Sequence, residues 1–267
     1  DSIQAKKDQL GVKGAFTSAG FDSSSDWRFK THLANLPLYY EFKDDNVTKQ
    51  PETIKGTYLP EYKNIFDLYL KDSTTEPTQL SSKTGDDSTS EFSLGEAAFY
   101  QNGTWEFSSL TSAEKFGMNA DDLAMIPIYC GVDGEEEAGL CAGTENCWAI
   151  NNEASEEDIQ ATIDFLVWVV TSDEGTTMLA QEFGPCPFKD AKEPENVFFQ
   201  DANKYTADGK YVVTWAFNWT PAVDDWRAAV VDALTQYSAG TGDWSAVETA
   251  FVQGWATPVS YTHLTLP

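Results

Sequence analysis

The stretch "GEAAFYQNGTWEF", Gly95 to Phe107, compresses a strand, a turn and a helix start into a few residues. "EAAFYQ" reads as a short strand. Asn102-Gly103 is a dipeptide that suits a tight turn, because both residues tolerate positive φ. Thr104 then reads as the cap of a new helix. Upstream, "DDSTSEFSLG" reads as a short helix stopped by Gly95. A strand set between two helices points to an α/β chain. The turn also delivers an indole, Trp105, beside the Asn102 amide and the Glu106 carboxylate.

The same alternation extends outward. "GVKGAFTSAG" (Gly11 to Gly20) reads as a strand opening into a small-residue loop, and Asp22 or Ser23 as a helix start. "YLPEYKNIFDLYL" places Tyr62, Ile65, Phe66 and Tyr69 at helical spacing. "DLAMIPIY" (Asp122 to Tyr129) reads as a buried strand, and "GVDGEEEAG" after it as a solvated acidic loop. The clearest helix follows Ser155, its cap, with Asp158 completing a box-like pattern. Ile159, Ile163, Leu166, Val167 and Val170 line one face of it. Ser172 restarts a second helix, which Gly184 and Pro185 end. A further helix carries Trp226, Val230, Ala233 and Tyr237 on one side and stops at Gly240, and "DWSAVETAFVQGWAT" begins the last.

Composition limits the partners. Net charge is −26 at pH 7, and such a surface repels phosphate backbones, so nucleic acid is excluded as a partner. No apolar run reaches the length of a membrane span. The four cysteines, Cys130, Cys141, Cys147 and Cys186, form no C-x-x-C, and no histidine is spaced to complete a zinc site. The leaning is to free thiols. No metal and no cofactor is expected.

Catalytic motifs are also missing. There is no G-x-S-x-G, no P-loop and no G-x-G-x-x-G. Outside the C-terminal tail His32 is the only histidine, and a lone helical histidine is far more often structural than catalytic. Acidic pairs of the kind used in glycoside hydrolysis are too numerous for any one to be singled out.

What remains is aromatic. Nine tryptophans are many for 267 residues. "SSSDWR", "QNGTWEF" and "WAFNWTPAVDDWR" each pair an indole with Asp, Asn, Glu or Arg. Sugars call for this combination: their C–H faces stack on flat rings, and their hydroxyls hydrogen-bond to charged and amide groups.

These motifs resemble those of the extracellular solute-binding proteins of carbohydrate ABC importers, the maltose-binding-protein type. "GEAAFYQNGTWEF" is similar to their Asn-Gly-x-Trp signature. "WAINNEASEEDIQATIDFLVWVVTSDEGTTMLAQEFGPCPF" is similar to their hinge strand and following helix pair, and the Trp226 helix to their last helices. The resemblance runs from Gly11 to Thr257. It implies an α/β, periplasmic-binding-protein-like two-lobe fold, a non-enzymatic receptor that closes around a carbohydrate, and delivery to membrane permease subunits. It also implies an extracellular location with a lipid anchor on a missing N-terminus, and a monomer.

By order along the chain, 1–140 and 191–257 correspond to the C-terminal lobe and 141–190 to an excursion into an incomplete N-terminal lobe. Part of the Ile159–Val170 stripe is then expected to lie uncovered. Trp105 and Asn102 match the signature. Asp26, Trp27 and Arg28 fall at a cleft loop, where this sequence departs from the maltose-binding pattern. Trp226 and Arg227 fall near a cleft aromatic, with Trp219 as the rival. The competing readings are a secreted carbohydrate-active enzyme and a receptor for another polar solute.

The last residues stand apart. "VSYTHLTLP" (Val259 to Pro267) holds no acidic residue and resembles a translated sequencing adapter. We therefore read 258–267 as a non-native tail and the chain as an internal fragment.

Overall fold

The computed structural model describes residues 1–18, 20–143, 147–184 and 186–256. The tail 258–267 and Pro185 lie outside the described residues. In chain order the helices are α1 (Lys7–Leu10), α2 (Ala34–Asp44), α3 (Leu59–Lys71), α4 (Gly85–Ser93), α5 (Glu106–Thr111), α6 (Glu156–Thr171), α7 (Asp173–Glu182), α8 (Val197–Ala207), α9 (Val223–Ser238) and α10 (Trp244–Ala256). The strands are β1 (Gly14–Phe16), β2 (Ala97–Phe99), β3 (Ala138–Cys141) and β4 (Tyr211–Val213). β1 pairs with β2 and β3 with β4, both in parallel. Parallel strands separated in sequence by helices make this an α/β chain, as expected. Two compact units form. Among the described residues, one holds Asp1–Asn102, Pro127–Cys141 and 211–256; the other holds Gly103–Ile126 and Ala142–Lys210.

In the first unit, β1 runs between β2 and the backbone at Ser73, which bridges to Phe16. The Ser73–Thr74 backbone passes so close to Gly14 that a Cβ there would lie 2.5 Å from it, so only glycine fits. The α3 stripe predicted from its spacing, Tyr62, Ile65, Phe66 and Tyr69, is buried. It packs with Trp244 and Phe251 of α10 in a cluster of edge-on and tilted rings. Two buried carboxylates hold loops in place. Glu41 accepts the Lys55 and Thr57 N–H groups, both at 2.8 Å. Glu91 accepts Ser18 N–H (2.9 Å), Ser18 Oγ (2.6 Å) and Thr74 Oγ1 (2.7 Å). Such bonds offset the desolvation of a buried charge.

The start expected at Asp22 is real but takes an unusual form. The backbone turns there, with Asp26 N–H donating to Asp22 O at 2.8 Å. The chain then enters a wide, π-type turn, Arg28–Leu33, before α2. Pro37 inside α2 has no N–H to give the Leu33 carbonyl, so a widened turn immediately upstream accommodates it.

In the second unit, α6 and α7 begin as read from sequence. Ser155 Oγ accepts Asp158 N–H at 3.1 Å, and Ser172 Oγ accepts Gly175 N–H at 2.9 Å. Gly175 abuts α6 so tightly that a Cβ would fall 2.3 Å from the Val169 carbonyl oxygen. The α6 stripe is partly uncovered: Ile163 and Val167 are exposed, while Ile159, Leu166 and Val170 are half-buried. Phe165 and Trp168 stack on one another at 6.0 Å, also exposed. With so little burial to hold it, α6 leans on its cap. Ser155→Ala is expected to cost about 1 kcal/mol and Ser155→Asp almost nothing, read from urea denaturation followed by circular dichroism.

Three local readings are corrected. Asp122 to Tyr129 is not a strand. Its backbone finds side chains instead of a ladder: Met125 N–H donates to Asp201 Oδ2 at 2.8 Å, and Met125 O accepts from Tyr205 Oη at 3.3 Å. Thr104 does not cap α5. Trp105 occupies the N-cap position with φ −62° and ψ −22°, because the chain already turns at Gly103, whose carbonyl takes Glu106 N–H at 3.1 Å. The acidic loop is not merely solvated, since Glu135 accepts the Cys130 and Gly131 N–H groups at 2.7 and 2.8 Å. The four cysteines are free thiols.

Candidate functional site

The wide turn Arg28–Leu33 faces two short segments brought in by long-range folding, Tyr100–Asn102 after β2 and Trp215–Phe217 after β4. Arg28 anchors the first. Its Nε donates to Gln101 O at 2.9 Å and its Nη2 to Tyr100 Oη at 3.2 Å. Its guanidinium lies 4.4 Å from the Trp27 ring centre and 5.5 Å from that of Tyr100, a cation–π arrangement on both sides. Asn102 Nδ2 donates to the same Tyr100 hydroxyl. Asp26 is held by Lys30 at 2.6 Å.

His32 anchors the second segment. Its ring stacks on Trp215 (4.9 Å, 20°) and meets Trp27 edge-on (4.8 Å). Its Nδ1 lies 2.7 Å from Gln101 Nε2. Burial, then the charges of Arg28 and Arg227, push its pKa down to about 4, so His32 is neutral at pH 7. Trp215 continues to Phe217 at 5.5 Å, and the Arg227 guanidinium sits 4.6 Å over Phe217. Arg227 also reaches Asp224 at 3.8 Å. The result is one continuous run within the first unit, four rings between two guanidiniums with Tyr100 at one end: Tyr100, Arg28, Trp27, His32, Trp215, Phe217, Arg227.

Within the first unit the structure therefore brings Asp26, Trp27, Arg28, Asn102 and Arg227 into one neighbourhood and leaves Trp226 and Trp219 out of it. Trp226 is a correction. It is 1% exposed, packs on Phe251 (4.8 Å) and Trp255 (5.9 Å), and donates its N–H to Phe251 O at 2.8 Å. A ring with no accessible face and a satisfied N–H cannot stack on a ligand. Trp219 is 36% exposed but packs on Phe42 at 5.9 Å. Trp105 belongs to the second unit and is 54% exposed, its ring folded back over Gly103, where a Cβ would meet it at 2.1 Å.

Residue types alone did not single out Tyr100, Gln101, His32 or Phe217. Gln101 stands directly before the Asn102-Gly103 turn, and its position there was the one available hint.

Where carboxyl pKa values shift visibly they fall. For Asp22, burial pushes up, but hydrogen bonds from Ser24 and Ser25 and the charge of Arg28 outweigh it. Asp87 and Asp243 are likewise lowered by local hydrogen bonds. A general acid needs the opposite shift. Among the described residues no group of His, Cys, Asp and Glu could hold a metal ion, and no helix is long and apolar enough to cross a membrane.

No curated protein and no solved structure matches the chain. The sequence model of one family does, that of the bacterial extracellular solute-binding proteins, over residues 2–207. That match spans most of the chain, ends before β4, and agrees with the α/β architecture. The chain belongs to the bacterial extracellular solute-binding protein family.

Proposed function

We propose that this solute-binding protein is a carbohydrate receptor that hands its ligand to the permease of an ABC importer. The observation that carries the reading is the ring-and-cation run from Tyr100 to Arg227, with Asn102 and Gln101 at its edge. Flat indoles meet the apolar face of a sugar ring, while guanidinium and amide groups meet its hydroxyls. Trp27, half-buried, is the contact proposed from this unit; Arg28 is buried, spends its donors on Gln101 O and Tyr100 Oη, and holds Trp27 in place rather than meeting the ligand itself. Trp105, in the second unit, offers a stacking face of its own. The segment 141–190 is read as an excursion into a second lobe, and the uncovered apolar stripe of α6 supports that reading.

Calorimetric titration with a panel of oligosaccharides, with the mixtures then analysed for products, tests the proposal. Saturable binding without product is expected. Appearance of shorter saccharides would favour the enzyme reading, and binding of amino acids or peptides alone would favour another polar solute. Trp105→Ala is expected to weaken saccharide binding by about 1–3 kcal/mol through lost stacking and apolar burial. Equal affinity in wild type and variant would remove Trp105 from the site.

A further inference from the structure

Buried polar atoms without partners are rare in native proteins, because each keeps the full cost of its desolvation. Two of them belong to the side chains that hold His32. Gln101 is 7% exposed; its Nε2 meets His32 Nδ1, and its Oε1 has no hydrogen-bond partner. Trp215 is 8% exposed; its ring stacks on His32, and its Nε1–H has no partner either. One is an acceptor and the other a donor.

Three of the other orphaned atoms lie in different settings. The Tyr40 and Tyr211 hydroxyls lie beside one another. Trp244 Nε1 belongs to a ring enclosed by Tyr62, Phe66 and Tyr237 in the core. The pair around His32 differs, because its surroundings reach the surface. His32, Trp27 and Asn102 are each only half-buried. Both orphaned atoms are themselves covered, so a ligand group reaches them where that half-buried layer opens.

We propose that Gln101 and Trp215 form a hydroxyl-reading subsite: Gln101 Oε1 accepts the hydrogen of a ligand hydroxyl, and Trp215 Nε1–H donates to a ligand oxygen. The inference rests on the carbohydrate reading and adds to it two specificity residues. A hydroxyl is the group that satisfies both atoms, since it donates and accepts. A carboxylate would satisfy Trp215 but would set a negative oxygen against the Gln101 carbonyl. His32 acts as the spacer that fixes both side chains, by stacking on one and hydrogen-bonding the other. Recognition built on buried polar atoms is selective, because an analogue lacking the hydroxyl leaves them unpaired.

The test uses the intact chain, labelled with ¹⁵N. The indole N–H peak of Trp215 is identified as the one absent from Trp215→Phe, a variant that keeps an aromatic ring beside His32, removes the donor and reduces the stacked area. Maltose, cellobiose and xylobiose are titrated as neutral probes and galacturonate as the charged one. The Trp215 peak is expected to move with at least one neutral saccharide, while the Trp226 peak, already bonded to Phe251 O, stays in place. Trp215→Phe and Gln101→Met should each weaken that saccharide about tenfold. A stationary Trp215 peak while other peaks titrate would overturn the subsite and leave the receptor reading intact. Movement with galacturonate alone would overturn the hydroxyl assignment. No response of any peak to any saccharide would overturn both readings.

Discussion

Trp226→Ala is expected to destabilise the first unit by about 3–5 kcal/mol, the scale for emptying a fully buried tryptophan site. The indole is 1% exposed and sits between Phe251 and Trp255 of α10, so its removal opens a cavity at the seam where α9 meets α10. It also leaves the Phe251 carbonyl without the N–H that reaches it at 2.8 Å. The neighbours cannot collapse into the gap, since Val230, Leu234, Val247 and Trp255 are themselves fully buried and closely packed. Against a total stability of about 5–15 kcal/mol for a typical domain, the loss is large. Urea denaturation of the variant, beside Trp105→Ala as an exposed control, measures it. Trp105→Ala is expected to shift the midpoint far less. A Trp226→Ala protein as stable as wild type would return Trp226 to the list of ligand contacts.

Acid should act on His32 with a defined sign. In the folded chain its pKa is pushed down to about 4 by burial and by the charges of Arg28 and Arg227; in the unfolded chain it is near the ordinary value of about 6.5. Above pH 6.5 both states are neutral at this group, and the folded protein keeps its full stability. Below that, the unfolded chain takes up a proton that the folded one refuses, so stability falls as pH drops from 6.5 towards 4. Below about 4 both states are protonated and the loss levels off. Integrated over the interval, the shift corresponds to roughly 3 kcal/mol. Carboxylates titrate in part of the same range, so the measurement is a difference: stability against pH for wild type and for His32→Gln. The wild type should lose stability more steeply between pH 6.5 and 4. Parallel curves would show that His32 is not held neutral by its surroundings. Such acid sensitivity also bears on the site, because a protonated His32 would carry a charge beside two guanidiniums and loosen its hold on Gln101 and Trp215.

Much of the local structure was legible in the chain. Short-range rules acted as expected wherever they had no competitor: Ser155 and Ser172 cap α6 and α7, the 3–4 spacing of Tyr62, Ile65, Phe66 and Tyr69 buries one face of α3, and positive φ at Gly95 and Gly240 follows the ends of α4 and α9. These depend on backbone hydrogen bonds and apolar spacing within a few residues. The solute-binding family was legible too, from the Asn102-Gly103-Thr104-Trp105 signature and the Trp148–Phe188 block, and the match over residues 2–207 agrees at that level, without extending to the carbohydrate type.

Tertiary structure decided the rest. Asp122 to Tyr129 looks like a strand by composition, but a strand exists only where a partner edge is free. Here the α8 side chains Asp201 and Tyr205 took the backbone of Met125 instead. Trp226 and Trp215 look alike in sequence, each an indole near Asp, Asn or Arg. What separates them is what lies opposite, Phe251 and Trp255 for one, His32 for the other, and no local pattern encodes that. The site follows the same logic. Arg28, His32, Gln101 and Trp215 come from three distant segments, and they meet because β1 pairs with β2, β3 pairs with β4, and the widened turn before Pro37 carries His32 towards Gln101 and Trp215. The chain determines its own helices, caps and turns through neighbouring residues. Which side chains face a ligand is settled by long-range packing, since burial and hydrogen-bond partnership are properties of what folds against a residue rather than of the residue itself.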